Sequence, residues 1–276
     1  MANLDHNFEL LLFLNRIAAV VLFGGFVVAL AAEFVFPRAG IVRNRRRIAH
    51  GVHNLLLWLV GIAVVSFVLG GTIWLILQWL QFRRIGVLYF IPLPIWVHAL
   101  VAFALLDACN YVFHRVSHNV RWLWLLHAVH HSDTNVDVTT NLRQHPLHIV
   151  PTQLWSLLAC AAIGVPAWVF LVYQITSLGF SHLHHVAVRW PRWIDRTLAW
   201  LVITPRIHWS HHSPLPQQTD SNFGMILSIW DRCCGTLTLP DAGEPRFGLA
   251  ALEAPRWHSA WGMLMTPWRA RSLRQL

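Results

Sequence analysis

The sequence predicts an all-α, multi-pass helical membrane protein, with about four transmembrane helices, a membrane-embedded hairpin and a helical cap on one membrane face. Three observations predict it. Hydrophobic residues make up 56% of the 276 and charged residues only 12%, about half the usual share of charge for a globular domain. Apolar stretches recur at the length that crosses a bilayer, roughly 20 residues. Trp occurs 16 times, and Trp favours the membrane–water boundary, where one part of the ring is apolar and the other wet.

The first stretch runs from about Phe8 to Phe36, interrupted at Asn15, Arg16 and Glu33. It reads as a retained span, because Asp5 and Glu9 stand where a signal peptide carries basic residues and no small-residue cleavage site follows cleanly. A basic loop with Arg38, Arg43, Arg45, Arg46 and Arg47 comes next. The second stretch, Leu55 to Leu80, contains Gly70-Gly71, which predicts a kink. After a turn at Arg83-Arg84, a third stretch runs from Val87 to about Leu106. Residues 107–146 are then rich in His, Asp, Asn and Arg. A fourth block, Leu147 to Phe180, is broken by Gly164-Val165-Pro166, which predicts two short antiparallel helices that enter the membrane and return. From Ser181 onward the chain is polar, Trp-rich and Arg-rich, as expected of a cap. The expected division is residues 1–106 as N-terminal membrane helices and 107–276 as the functional region, the 147–180 hairpin included.

The net charge of +9 comes entirely from Arg. These residues flank apolar spans and form no long basic surface, so anionic lipid headgroups are the expected partner and nucleic acid is not. The loop at 38–47 holds five Arg against two at 81–86, which predicts a cytoplasmic first loop. Counting spans onward, a hairpin at 147–180 returns the cap to that same side. Every His cluster then faces one compartment, whereas a single crossing would split them. Cys109, Cys160, Cys233 and Cys234 show neither zinc spacing nor a CxxC pair, and no disulfide framework is expected.

Of the 18 His, many fall at metal-ligand spacings. FHRVSH places His114 and His118 at i, i+4. LHAVHHS places His127, His130 and His131 at i, i+3 and i+4, and IHWSHHS repeats that pattern with His208, His211 and His212. On a helix such positions share one face, so each triplet can aim its rings at one point. His145 in RQHPLH and His182 in FSHLHH fill out the set. Neutral imidazole ligates Fe, Zn or Cu without adding negative charge beside a membrane. One zinc needs three or four ligands, so ten favour a dinuclear centre. Asp107, Tyr111, His114 and His118 follow one helical face, making Asp107 the candidate catalytic carboxylate, able to accept the second N–H of a metal-bound ring. Asp133 and Asp231 are further candidates of that kind. His6, His50, His53, His98, His148 and His258 read as ordinary surface, interfacial or buried residues, and His184 and His185 stay open. For His145 a loop or cap role competes with ligation. Asp107 has a rival reading as a plain buried polar partner.

The chain is similar to the fatty acid hydroxylase superfamily, also called the sterol desaturase family, and to its bacterial membrane members in particular. The resemblance runs from about Asp107 to Thr238. It rests on DACNYVFHRVSH, WLLHAVHHSDTNVDVTTNLRQHPLH, FSHLHH and TPRIHWSHHSPLPQQTDSNFGMILSIWDRCCGT, in which Asn222, Gly224, Trp230, Asp231 and Gly235-Thr236 match the family pattern. Related proteins often carry Asn at His184, and usually Glu at His148. The resemblance implies a multi-pass enzyme of the bacterial inner membrane with a cytoplasm-facing site. It implies two iron ions (zinc as an isolation product) held by His114, His118, His127, His130, His131, His145, His182, His208, His211 and His212. It also implies oxygen-dependent hydroxylation or desaturation of a lipid C–H bond. No dinucleotide or flavin fingerprint is evident, so electrons are expected from a separate ferredoxin or small cytochrome. The alternative class is a metal-carrying or haem-binding membrane protein without oxygenase activity. Transport predicts charged residues within several spans, where this chain is nearly bare, and haem predicts isolated His pairs. A third expectation to exclude is a relative that keeps its metals as props.

Overall fold

In a computed structural model, residues 13–14, 16–38, 45–69, 71–239 and 245–273 are described. The readings at Asp5, His6, Phe8, Glu9, Asn15, Arg43 and Gly70 lie outside them. The described chain is helical, and its extended pairing is confined to two isolated bridges, Pro37 with Val188 and Val202 with Leu227.

Among the described residues, four helices are long and apolar enough to cross a membrane: α1 (Arg16–Val35), α2 (Arg45–Val68), α4 (Ile95–Asn119) and α6 (Pro146–Ile163). Between α2 and α4 lies α3 (Thr72–Phe82). Helix α2 closes at Val68 and α3 opens at Thr72 with Gly71 as its N-cap, so the second apolar stretch holds two helices. Helix α2 also begins earlier than hydropathy indicates, so Arg45, Arg46 and Arg47 lie in its first turn. The third apolar stretch differs from expectation as well. Val87–Phe90 forms a short 3-10 turn, Pro92 and Pro94 keep the chain extended, and α4 starts only at Ile95. It then runs on past Leu106 to Asn119 without interruption. The drop in hydropathy there reflects one polar face, not a helix end.

The fourth block forms the expected hairpin. Helix α6 ends at Gly164, whose φ of 86° is left-handed, and α7 (Ala167–His185) starts after Pro166. A Cβ on Gly86 would stand 2.1 Å from the Gly164 nitrogen, so the hairpin tip packs directly on the loop before α4. The two hairpin helices diverge from this tip, α6 lying against α2 and α4 and α7 against α4 and α1. An apolar core of Leu77, Leu80, Leu106, Cys160, Phe170 and Tyr173 joins α3, α4, α6 and α7. Outward-facing Phe67, Phe82 and Phe90 are 92%, 83% and 85% exposed, a surface that only lipid would solvate favourably.

The cap is built from short helices: α5 (Arg121–His131), α8 (Arg192–Leu198), α9 (Pro205–His211), α10 (Pro216–Thr219), α11 (Ile229–Cys233) and α12 (Ala260–Arg269). Buried polar links fasten it to the membrane helices. Glu33 on α1 accepts from the Val138 and Ala187 backbone N–H groups and from Arg47. Fully buried Arg143 donates to the Val129 carbonyl, Asn54 and Ser132. Asp133 bonds His50 and accepts from Thr140. Burial alone would raise the Asp133 carboxyl, but the charges of His50 and Arg143 and the bonds it accepts hold it well below the usual carboxylate range.

Candidate metal centre

Four separate segments meet where the cap covers the membrane helices. Helix α4 supplies His114 and His118 from its last two turns, and α5 supplies His127, His130 and His131. The end of α7 supplies His185, while α9 and its C-cap supply His208, His211 and His212. Thr204 caps α9 through the Ile207 N–H, and Pro205 at its first position is preformed for a helix.

The rings sort into two groups whose ligand atoms lie within 4.8 Å of one another: His114, His118, His127, His131 and His211, and His130, His185, His208 and His212. All nine are buried. In the first group, His114 Nε2 is 3.1 Å from His127 Nε2 and 3.0 Å from His211 Nε2, and His131 Nε2 is 3.2 Å from His127 Nε2. In the second, His185 Nε2 is 3.2 Å from the Nε2 atoms of His130, His208 and His212.

Hydrogen bonding shows what these distances mean. His114 Nδ1 donates to the Phe223 carbonyl at 2.9 Å and His211 Nδ1 to the Ser221 carbonyl at 2.7 Å. A carbonyl can only accept, so both Nε2 atoms carry lone pairs, yet they face each other at 3.0 Å. His185 is arranged alike, with Nδ1 donating to the Ser181 carbonyl at 2.7 Å and its Nε2 lone pair aimed at three other rings. Lone pairs at this separation repel unless a cation lies between them. Nitrogens bound at right angles about 2.0–2.1 Å from one ion would stand about 3 Å apart, which is the spacing found. The donor set therefore fits two metal ions, one for each group.

Electrostatics agree. Burial, reinforced by neighbouring imidazoles, holds His127, His131 and His208 well below the ordinary histidine value. The same causes act on His130, His211 and His212. The rings are neutral at physiological pH, the form that binds metal.

Eight of the ten histidines singled out by sequence come together in this way. His145 and His182 do not. His145 precedes Pro146 and caps α6, its Nδ1 accepting from the Leu147 N–H while Nε2 meets the Leu264 carbonyl. A residue before proline is held extended, which suits an N-cap and turns the ring away from the groups. His182 points toward α1, bonded to Asn141 and edge-on to Phe26. His185, one turn later, fills its place. Asp107 also differs from expectation: it accepts from Tyr173, the Leu227 N–H and Trp230, and among the described residues no imidazole bonds it. Seven residues of helix put it about 10 Å from His114 along the axis. Asp133 bonds His50, outside both groups. Asp231 acts one step removed, accepting from the Phe223 and Gly224 N–H groups at 2.8 Å and so fixing the loop whose carbonyls orient His114 and His211. Two neighbours escaped sequence reading. Asp220 bonds His118 Nδ1 at 3.2 Å and Gln144 bonds His130 Nδ1 at 3.2 Å; neither stands at a ligand spacing that would mark it.

A cavity of about 220 Å³ opens directly onto both groups between the diverging α6 and α7. Phe113, Ile149, Met225 and Thr152 line it together with His114 and His127 of one group and His130, His185 and His208 of the other.

Fold and site together define a helical membrane protein with a buried polyhistidine site suited to binding metal. The fatty acid hydroxylase family model matches residues 99–236, half of the chain, and the chain belongs to that family. Alkylglycerol monooxygenase of Xenopus tropicalis is 31% identical over 173 residues, which cover 62% of this chain and 36% of that protein. The Danio rerio alkylglycerol monooxygenase is 33% identical over 166 residues, 58% and 35% of the two chains. Ornithine lipid hydroxylase OlsE of Rhizobium tropici is 31% identical over 132 residues, 47% and 38%. The matched region thus spans little more than a third of these curated relatives. No solved structure gives a significant match.

Proposed function

We propose that this protein is an oxygen-dependent lipid hydroxylase with two irons. One is held by His114, His118, His127, His131 and His211, the other by His130, His185, His208 and His212. The convergence of nine neutral rings beneath a largely apolar cavity carries the proposal. Imidazole suits iron, zinc and copper alike. Iron is favoured because oxidising a lipid C–H bond needs one-electron and oxygen chemistry, which zinc does not supply and bound iron does. The relatives support the lipid, since those named are an alkylglycerol monooxygenase and an ornithine lipid hydroxylase.

The chain itself binds and orients the substrate. Phe113, Ile149 and Met225 hold an alkyl segment against the ligand rings and exclude water. Backbone carbonyls of Phe223, Ser221 and Ser181 hold the proton on Nδ1 of His114, His211 and His185, keeping each Nε2 free to ligate. Residues 1–106 anchor the chain, and 107–276 carry every proposed ligand. We place the protein in the bacterial inner membrane with the site facing the cytoplasm, following the Arg excess of the first loop. Electrons come from a separate donor, and the Arg-rich cap suits an acidic ferredoxin or small cytochrome. The test is metal content and oxygen-dependent lipid conversion by purified, reconstituted protein. Two irons per chain, with turnover lost in His127→Ala plus His208→Ala, are expected. Full turnover in that double variant would refute the proposal.

A further inference from the structure

We infer that His148 and His184 form a pair of hydrogen-bond acceptors for the substrate, which is then a lipid bearing a hydroxyl or amide N–H within a few bonds of the oxidised carbon. This deepens the hydroxylase reading and rests on it. Neither ring belongs to a metal group, yet both are buried and line the cavity. One comes from each helix of the hairpin, and each lies over one ligand of a different group. His148 stacks on His127 at 4.8 Å and 29°, and His184 on His208 at 4.8 Å and 25°.

Their protonation pattern follows from their partners. His184 Nε2 lies 2.9 Å from the Ile203 carbonyl, so it must donate and Nδ1 is left as a lone pair. His148 Nε2 lies 3.3 Å from Ser117 Oγ. That hydroxyl already donates to the Phe113 carbonyl, so the ring donates to it and His148 Nδ1 is likewise a lone pair. The other hydroxyls of the lining are committed: Thr152 donates to the His148 carbonyl and Ser181 to Asn141. What the walls of α6 and α7 add to an apolar cavity is therefore a matched pair of acceptors. A buried acceptor without a donor is unfavourable, and a substrate donor removes that cost. Both acceptor rings stack 4.8 Å from a ligand ring, His148 on His127 and His184 on His208, where the cavity meets the two groups. A donor that reaches either acceptor is thus a few bonds from a carbon held against the ligand rings.

The test uses full-length, metal-loaded protein in lipid nanodiscs and two probes: hexadecylglycerol, which has two hydroxyls, and hexadecyl propyl ether, which has none. The wild type should bind the diol about tenfold more tightly, the order expected when a buried acceptor gains a donor. His148→Phe and His184→Phe keep a ring over His127 and His208 but delete the acceptor. Each should lower the preference, and the double variant should bring it near unity with metal content unchanged. A wild type without preference, or variants that keep it, would overturn the inference. So would loss of metal from the variants, since the rings would then be props for the ligands. Absence of oxygen-dependent product from the wild type with an intact binding preference would instead count against the hydroxylase reading alone.

Discussion

Replacing His185 by Ala, with His182→Ala as its partner, separates the ligand assignment made by geometry from the one made by spacing. His185 Nε2 stands 3.2 Å from each of the three other Nε2 atoms of its group, so its loss leaves three imidazoles for the second ion. Disturbing a residue that merely orients a ligand costs about 10–100-fold in metal affinity. Deleting the ligand itself should cost at least about 100-fold, or ~2.7 kcal/mol. His182, by contrast, loses a hydrogen bond to Asn141 and an edge contact with Phe26. That is about 0.5–1.5 kcal/mol of fold stability and nothing at the metals. The assay is metal per chain by mass spectrometry after dialysis against a weak chelator, with melting temperature alongside. His185→Ala should retain one ion of two and His182→Ala both. If His182→Ala drops to one ion while His185→Ala keeps two, the grouping of rings around His185 is wrong.

Two further outcomes follow from the site. Asp231→Ala strands the Phe223 and Gly224 N–H groups, buried and 2.8 Å from the carboxylate; destabilisation of about 2–4 kcal/mol is expected by chemical denaturation, with metal affinity down about 10–100-fold, and an unchanged affinity would show that this loop does not orient His114. For metal-free protein, His127, His130, His131, His208, His211 and His212 have folded values held well below the ordinary one. The unfolded chain then binds more protons as pH falls below about 6.5, so stability is intact above that pH and declines beneath it. Melting curves at pH 7.5 and 5.5 check the sign, and equal or higher stability in acid would contradict it.

Much of this architecture is legible in the sequence because two local patterns carry it. Residues at i, i+3 and i+4 share a helical face whatever surrounds them, so the triplets at 127–131 and 208–212 and the pair at 114 and 118 declare themselves. The hairpin is equally plain, since Gly164 and Pro166 interrupt an apolar run too long for one short crossing. The choice among His182, His184 and His185 is different in kind. It depends on how α7 is rotated about its axis, which is set by contacts with α1 and with the cap, and no local pattern records that angle. His145 could have been placed from its neighbour, because a residue followed by Pro at a helix start is a natural N-cap. Asp107 shares a face with His114, but sharing a face is not being within reach, and the residues that claim it, Trp230 and Tyr173, lie 123 and 66 positions away. The extension of α4 beyond Leu106 was hidden because hydropathy averages over a helix whose two sides face different surroundings.

The use of main-chain oxygens to steer ligand rings makes the centre hard to damage in one way and easy in another. No side-chain replacement at Phe223, Ser221 or Ser181 can delete a carbonyl, so scanning those positions with alanine would pass over the steering groups unnoticed. Their vulnerability lies in whatever sets the path of the peptide itself. Asn222 holds a φ of 56° and is tied to Ile207, Ser210 and Thr238. A Cβ on Gly224 would come within 2.8 Å of the Asp231 carboxylate. Motif letters that carry no metal chemistry of their own are, on this account, the jig in which the imidazoles are set.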